Sequence, residues 1–172
     1  KMHSTWLEEY RQYKALGRPT GLMPLYVRMD RYCAKHAHAV IAISEVIKRE
    51  TMRYGVPEEA ITVIHNGIDP EPFISATSQR NVLGLEEDSI VIGYIGRLAP
   101  HKGVLALARA FKILAERHDE VRLLVVGDGP ERGKMEQLLT PIKGRVRFTG
   151  YVPHNLVPDY YATSDIMVYP SL

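Results

Sequence analysis

The residues best suited to chemistry lie in the stretch GRLAPHKG at 96–103. An apolar β-branched run ends there, Gly96 turns the chain, and a helical pattern begins near Gly103. Arg97 and Lys102 flank that helix start. Free N–H groups and the positive end of the helix dipole act in the same sense as the two cations. Together they would hold a diphosphate without a metal: arginine grips phosphate oxygens in pairs, and lysine adds a mobile point charge. An ordinary strand-to-helix loop with a solvated Arg and Lys is the alternative reading.

Two further glycine-marked strand ends follow. In GDGPE at 127–131, Gly127 and Gly129 let backbone approach a ligand closely, and Pro130 suits the first position of a helix. A tight turn without a ligand fits as well, and GDGPERGK lacks the spacing of the dinucleotide fingerprint. In TGYVPHN at 149–155, a backbone group near Val152 could read the edge of a base; a plain loop is the alternative. His3 lies near the chain start in HSTWLEEY, where a surface histidine is the ordinary expectation. Cys33 and His36 share a helix face but His38 does not, and no second cluster completes a tetrahedral set, so no metal is expected. Cys33 is expected to be a buried structural thiol. Tyr160 and Tyr161 are expected to pack. No paired carboxylates of the DxD kind stand at a strand end.

Strands and helices must alternate to place these loops. AVIAI at 39–43 reads as a buried strand, with Ser44 as N-cap of a helix from Glu45 to about Tyr54, stopped by Gly55 and Pro57. ITVIH at 61–65 is a strand before the turn signal Asn66-Gly67. The polar stretch 75–88 has no clear period. IVIGYIG at 90–96 is a strand. Val104, Leu107, Ala108, Phe111, Leu114 and Ala115 then recur at helical spacing. VRLLVVG at 121–127, VRFTG at 146–150 and DIMVYP at 165–170 read as strands. Helices run between them, one to about Leu139 and one over 155–162 with Pro158 in its first turn. Leu25, Met29, Tyr32 and His36 form an earlier helical pattern. Near-continuous apolar strands separated by helices predict an α/β fold, a doubly wound parallel sheet covered on both faces. Ligands then sit at the carboxyl ends of strands, where the glycine loops are.

Composition narrows the classes. The chain has 172 residues, room for one domain or one plus part of another. A formal charge of +2 gives no footprint for nucleic acid. A single cysteine forbids an intrachain disulfide, and no apolar run approaches the ~20 residues of a membrane span. With no signal-peptide pattern, a cytoplasmic location is expected, compatible with peripheral docking on a membrane face.

Taken together, these segments resemble the family 4 retaining glycosyltransferases, the glycosyl transferases of group 1. The matching motifs are AISEVIK at 42–48, VIHNGIDPEPF at 63–73, GYIGRLAPHKG at 93–103, VVGDGPE at 125–131, FTGYV at 148–152 and YYATSDIMVYPSL at 160–172. They occur in family order and spacing over Ala39–Leu172. The resemblance implies the GT-B fold, two Rossmann-like domains facing a cleft, with 1–57 as the tail of the acceptor domain and 58–172 as an incomplete donor domain. It implies sugar transfer from a nucleotide-diphosphate sugar, UDP- or GDP-linked, to a hydroxyl of a glycan, lipid or small-molecule acceptor, with retention and without a cofactor.

By the same resemblance, Arg97 and Lys102 neutralise the donor diphosphate, Gly96, Gly127 and Gly129 belong to the donor-binding loops, and the backbone of Val152 meets the base. Asn66 and Gly67 match the turn that opens the second domain, and His65 stands where the family more often has proline. HSTWLEEY at 3–10 is similar to a stretch found in glycolipid-forming glucosyltransferases, which would make His3 an acceptor-side catalytic residue. Trp6 and Glu9 depart from or only approximate that pattern. The family carries two glutamates just after the position of Leu172, so the chain is expected to be a fragment. Alone it is expected to be inactive and inclined to self-associate through an uncovered sheet edge. A non-catalytic nucleotide-sugar-binding module is the alternative function. A signalling receiver would instead need acidic residues at the strand ends.

Overall fold

The computed structural model of the protein describes Lys14 and residues 19–171. It divides into two compact units, Lys1–Ile68 and Asp69–Leu172.

In the first unit, helix α1 (Met23–His36) leads to strand β1 (Val40–Ala42), helix α2 (Glu45–Arg53) and strand β2 (Ile61–Val63). The strands pair in parallel, Val40 opposite Ile61 and Ala42 opposite Val63. The Ser44 hydroxyl accepts the Ile47 N–H at 3.3 Å and so caps α2 as expected. Val40, Ala42, Ile47, Tyr54, Val56 and Ile61 form a small core with Ala34. On α1 the buried side is Ala34, with Met23, Val27 and Asp30 half-buried. The apolar residues that mark its period, Leu25, Met29 and Tyr32, are exposed. Cys33 lies on this outward side and is exposed, which corrects the expectation of a buried thiol. His36 stacks on the Tyr32 ring and donates from Nδ1 to the Tyr32 carbonyl at 2.8 Å.

The compact units divide at Ile68, eleven residues beyond the domain boundary expected after residue 57. β2 is bonded to β1, so the segment through Ile68 stays with the first unit. α2 already ends at Arg53, Pro57 opens a 3₁₀ turn at Glu58–Ala60, and the next strand returns to the same sheet.

The second unit opens with two single-turn helices, α3 (Glu71–Ile74) and α4 (Arg80–Leu83). They precede strand β3 (Ile90–Ile95), helix α5 (Val104–Ala115), strand β4 (Val121–Val126), helix α6 (Arg132–Leu139), strand β5 (Val146–Gly150), helix α7 (Val157–Thr163) and strand β6 (Ile166–Met167). All four strands run parallel in the order β5-β4-β3-β6. The chain thus builds outward from β3 through β4 to β5, then crosses to the other side of β3. This is the doubly wound arrangement, with its switch point at the carboxyl end of β3. The last strand is shorter than expected, although the Val168 N–H still reaches the Gly93 carbonyl at 2.9 Å.

Alternation along the strands builds two layers of core. Ile92, Tyr94, Leu123 and Val125 face Val104, Leu107, Phe111, Met135 and Leu139. Val91, Leu124 and Val126 face the other way, onto Leu85, with Ile95, Val152 and Tyr160 packed beside them. A period of two in strands that are apolar at every position covers both faces. The polar stretch before β3 is ordered by side chains distant in the sequence: Asp159 and Thr163 accept the Thr77 and Gln79 N–H groups at 2.9 and 2.7 Å, and Arg80 ties its far end. Arg80 donates from Nη1 to the carbonyls of Glu86, Glu87 and Ser89 and from Nη2 to Asp165 at 2.5 Å. Asp165 also accepts the Val91 N–H at 2.7 Å, which ties this segment to β3 and to the start of β6. The tyrosines of α7 pack as expected: Tyr161 meets Phe73 edge-on and its hydroxyl bonds that of Tyr169 at 2.6 Å.

Candidate functional site

The loops after β3, β4 and β5 are stitched together beyond the sheet. The Gly96 N–H donates to the Val126 carbonyl and the Leu98 N–H to the Asp128 carbonyl, both at 2.9 Å. The Glu131 N–H returns to the Leu98 carbonyl at 2.9 Å, and the Gly127 N–H reaches the Gly150 carbonyl at 2.8 Å. From below, the buried Tyr94 donates its hydroxyl to the Arg97 carbonyl at 2.9 Å. Burial raises the Tyr94 pKa, which keeps that donor protonated.

Close approach explains two of the glycines. A Cβ on Gly127 would fall 2.1 Å from the Gly96 carbonyl oxygen, and one on Gly129 would fall 2.4 Å from that of Leu98. Gly127 also has φ +127°. What these glycines admit is the neighbouring loop.

Between the loops lies a cleft of about 400 Å³ lined by Ile95, Gly96, Arg97, Val126, Gly127, Asp128, Tyr151, Val152 and Val157. Four of the expected site residues, Gly96, Arg97, Gly127 and Val152, therefore meet at one place. Lys102 and Gly129 are not on its lining. Lys102 is half-buried on a 3₁₀ turn, Pro100–Lys102, just before α5. Past β6 the chain returns to this turn, with the Pro170 carbonyl packed on Gly103. His3 lies outside the described residues.

Ile95, Val126, Val152 and Val157 give the cleft apolar walls, and Arg97 supplies its cation. Arg97 is exposed, and among the described residues no hydrogen bond or ion pair engages its guanidinium or the Lys102 ammonium. Several arginines nearer the strands of this unit are committed. Arg122 forks onto Glu86 with two bonds of 2.9 Å, Arg145 pairs with Asp119, and Arg147 donates from Nε to the Leu83 carbonyl at 2.9 Å. Asp128 and Tyr151 are lining residues that the motif reading did not single out. A signal for Asp128 was available: Asp128, Arg132 and Glu136 recur every four residues, the spacing of helix-face ion pairs.

Comparison with known proteins agrees with this geometry. Residues 75–172 match the family described as Glycosyl transferases group 1, and residues 2–72 match Glycosyltransferase Family 4. The chain belongs to the group 1 glycosyltransferases, and its fold is part of GT-B. It is 32% identical over 142 residues to an uncharacterized glycosyltransferase of Methanocaldococcus jannaschii, covering 77% of this chain and 36% of that one. It is 29% identical to the 2-deoxystreptamine glucosyltransferase of Streptomyces kanamyceticus, over 87% of this chain and 41% of the relative. The alpha-monoglucosyldiacylglycerol synthase of Acholeplasma laidlawii is 26% identical, over 97% and 45% respectively. The chain spans less than half the length of each of these relatives. Among solved structures, Anabaena HepE in complex with UDP superposes with a TM-score of 0.71 at 28% identity, over 86% of this chain and 42% of HepE. HepE in complex with UDP-glucose gives a TM-score of 0.70.

Proposed function

We propose that this chain forms the donor-binding part of a retaining hexosyltransferase that moves a sugar from a nucleoside diphosphate to an acceptor hydroxyl. The observation that carries the reading is the uncommitted Arg97 guanidinium in an apolar cleft at the carboxyl ends of β3 and β4. The HepE complexes with UDP and UDP-glucose support it at 28% identity. In this reading the base lies against Val152 and the apolar walls. The diphosphate meets Arg97, with Lys102 and the start of α5 as further positive groups. As the sugar C–O bond breaks, negative charge grows on the leaving diphosphate. Fixed cations stabilise that charge without reorganising, the part a divalent metal plays elsewhere. His3, glycolipid or other acceptors, and a peripheral membrane location belong to the acceptor side of the proposal.

Calorimetry with UDP and uridine on the intact protein tests the site. Arg97→Ala should weaken UDP by about 1.5–3 kcal/mol, the worth of a hydrogen bond to a charged group, and leave uridine nearly unaffected. Equal losses for the two ligands would refute the phosphate assignment.

A further inference from the structure

We propose that Arg132 is a positioning residue that holds the Asp128 carboxylate away from Arg97 and so keeps the guanidinium free for a diphosphate. The inference rests on the phosphate reading of the cleft and adds a residue to it.

The β3–β4 ladder ends with Ile95 opposite Val126. Its hydrogen bonds continue into the loops, from the Gly96 N–H to the Val126 carbonyl and from the Leu98 N–H to the Asp128 carbonyl. Counting on by two residues brings Arg97 opposite Asp128. Both line the same cleft. Cross-strand neighbours of opposite charge attract, so an Arg97–Asp128 pair is the default for this register.

That pair does not form, because Asp128 is occupied elsewhere. Its Oδ1 accepts the Gly129 N–H at 2.7 Å, and its Oδ2 accepts from Arg132 Nη1 at 2.8 Å. The Gly129 N–H first, and Arg132 second, hold the Asp128 carboxyl below its ordinary pKa, so it stays a full negative charge. Arg132 is itself anchored. Its Nε donates to Glu136 at 2.8 Å, and its guanidinium lies 6.0 Å from the centre of the Phe148 ring. Arg132 thus neutralises the one carboxylate among the described residues of the cleft lining, while its own position is set from α6 and β5. Without it, the carboxylate would be released toward Arg97. It would compete with phosphate for the guanidinium and repel the ligand's charge.

Titration of UDP and of uridine into the intact protein at low salt separates this from a purely structural role. Arg132→Met is expected to weaken UDP about fivefold, the worth of an exposed ion pair, while uridine binding holds. Adding Asp128→Asn to that variant removes the competitor and should restore UDP binding. A matching loss for uridine, or no recovery in the double variant, overturns the proposal. Arg132→Lys keeps a cation beside Asp128 and covers the case in which Arg132→Met does not fold. It should hold UDP within about twofold of the parent, and a fivefold loss there also overturns the proposal. Arg97→Ala measured alongside keeps the two readings apart. If it penalises UDP selectively while Arg132→Met does not, only the positioning role fails. If it penalises UDP and uridine alike, the phosphate reading fails.

Discussion

At the scale of single residues, Gly127 shows how narrow the tolerances at the strand ends are. Its φ of +127° disfavours any side chain, and an added Cβ would overlap the Gly96 carbonyl oxygen, which is backbone and cannot swing aside. Gly127→Ala should cost roughly 2–4 kcal/mol by urea denaturation, strain and overlap together. A variant as stable as the parent would mean that the two loops separate more readily than their hydrogen bonds suggest. Glu86 gives a test by pH. The Arg122 fork, above all its hydrogen bond, lowers the Glu86 pKa in the folded protein. A depressed carboxyl stabilises the fold above its unfolded value of about 4.3 and loses that contribution as pH falls through the folded value. Glu86→Gln should therefore be less stable than the parent at pH 7, with the gap closing below about pH 4. A gap that widens in acid would contradict the assignment.

At the scale of elements, the helices were legible where cap and period agreed. Ser44, Glu45 and the stop at Gly55 delimit α2, and six apolar positions at helical spacing delimit α5. These two helices are held by different forces. Ser44→Ala removes one cap bond and should cost about 1 kcal/mol, seen as faster hydrogen exchange in α2. Phe111, 2% exposed in the larger core, should cost about 3–5 kcal/mol as Phe111→Ala in urea. Similar costs for the two would mean that α5 packs less tightly than its burial indicates. The stretch 75–88 was not legible, since its order comes from Arg80 reaching carbonyls up to nine residues away and Asp165 beyond them, and from Asp159 and Thr163 holding Thr77 and Gln79, which no local period encodes. The burial of Cys33 on α1 was misjudged for a related reason. An apolar period marks a helix, but which side is covered depends on what packs there, and here that side is Ala34.

At the scale of the whole molecule, metal dependence is the decisive test of the chemistry proposed. If Arg97, Lys102 and the start of α5 supply the positive charge, sugar transfer by the intact protein should persist in excess EDTA. Activity abolished by the chelator and restored by magnesium or manganese would assign that charge to a metal instead. The division into two units bears on this, because the described lining of the cleft proposed for the donor lies wholly within Asp69–Leu172. UDP should therefore need only that unit's strand ends to bind, and transfer should need the rest of the protein.

Sequence by itself determined the alternation of apolar strands and amphipathic helices, the glycine-ended loops and the cations beside them, because these are local patterns of polarity and backbone freedom. The motifs in register also reached the family. Tertiary structure decided what depends on neighbours distant in the chain. It placed β2 beside β1 in the first compact unit, turned Cys33 outward, and set Gly127 and Gly129 against an adjoining loop. It also brought Asp128 opposite Arg97 while giving its carboxylate to Arg132. Each of these follows from which strand lies next to which, and strand order comes from packing the whole sheet.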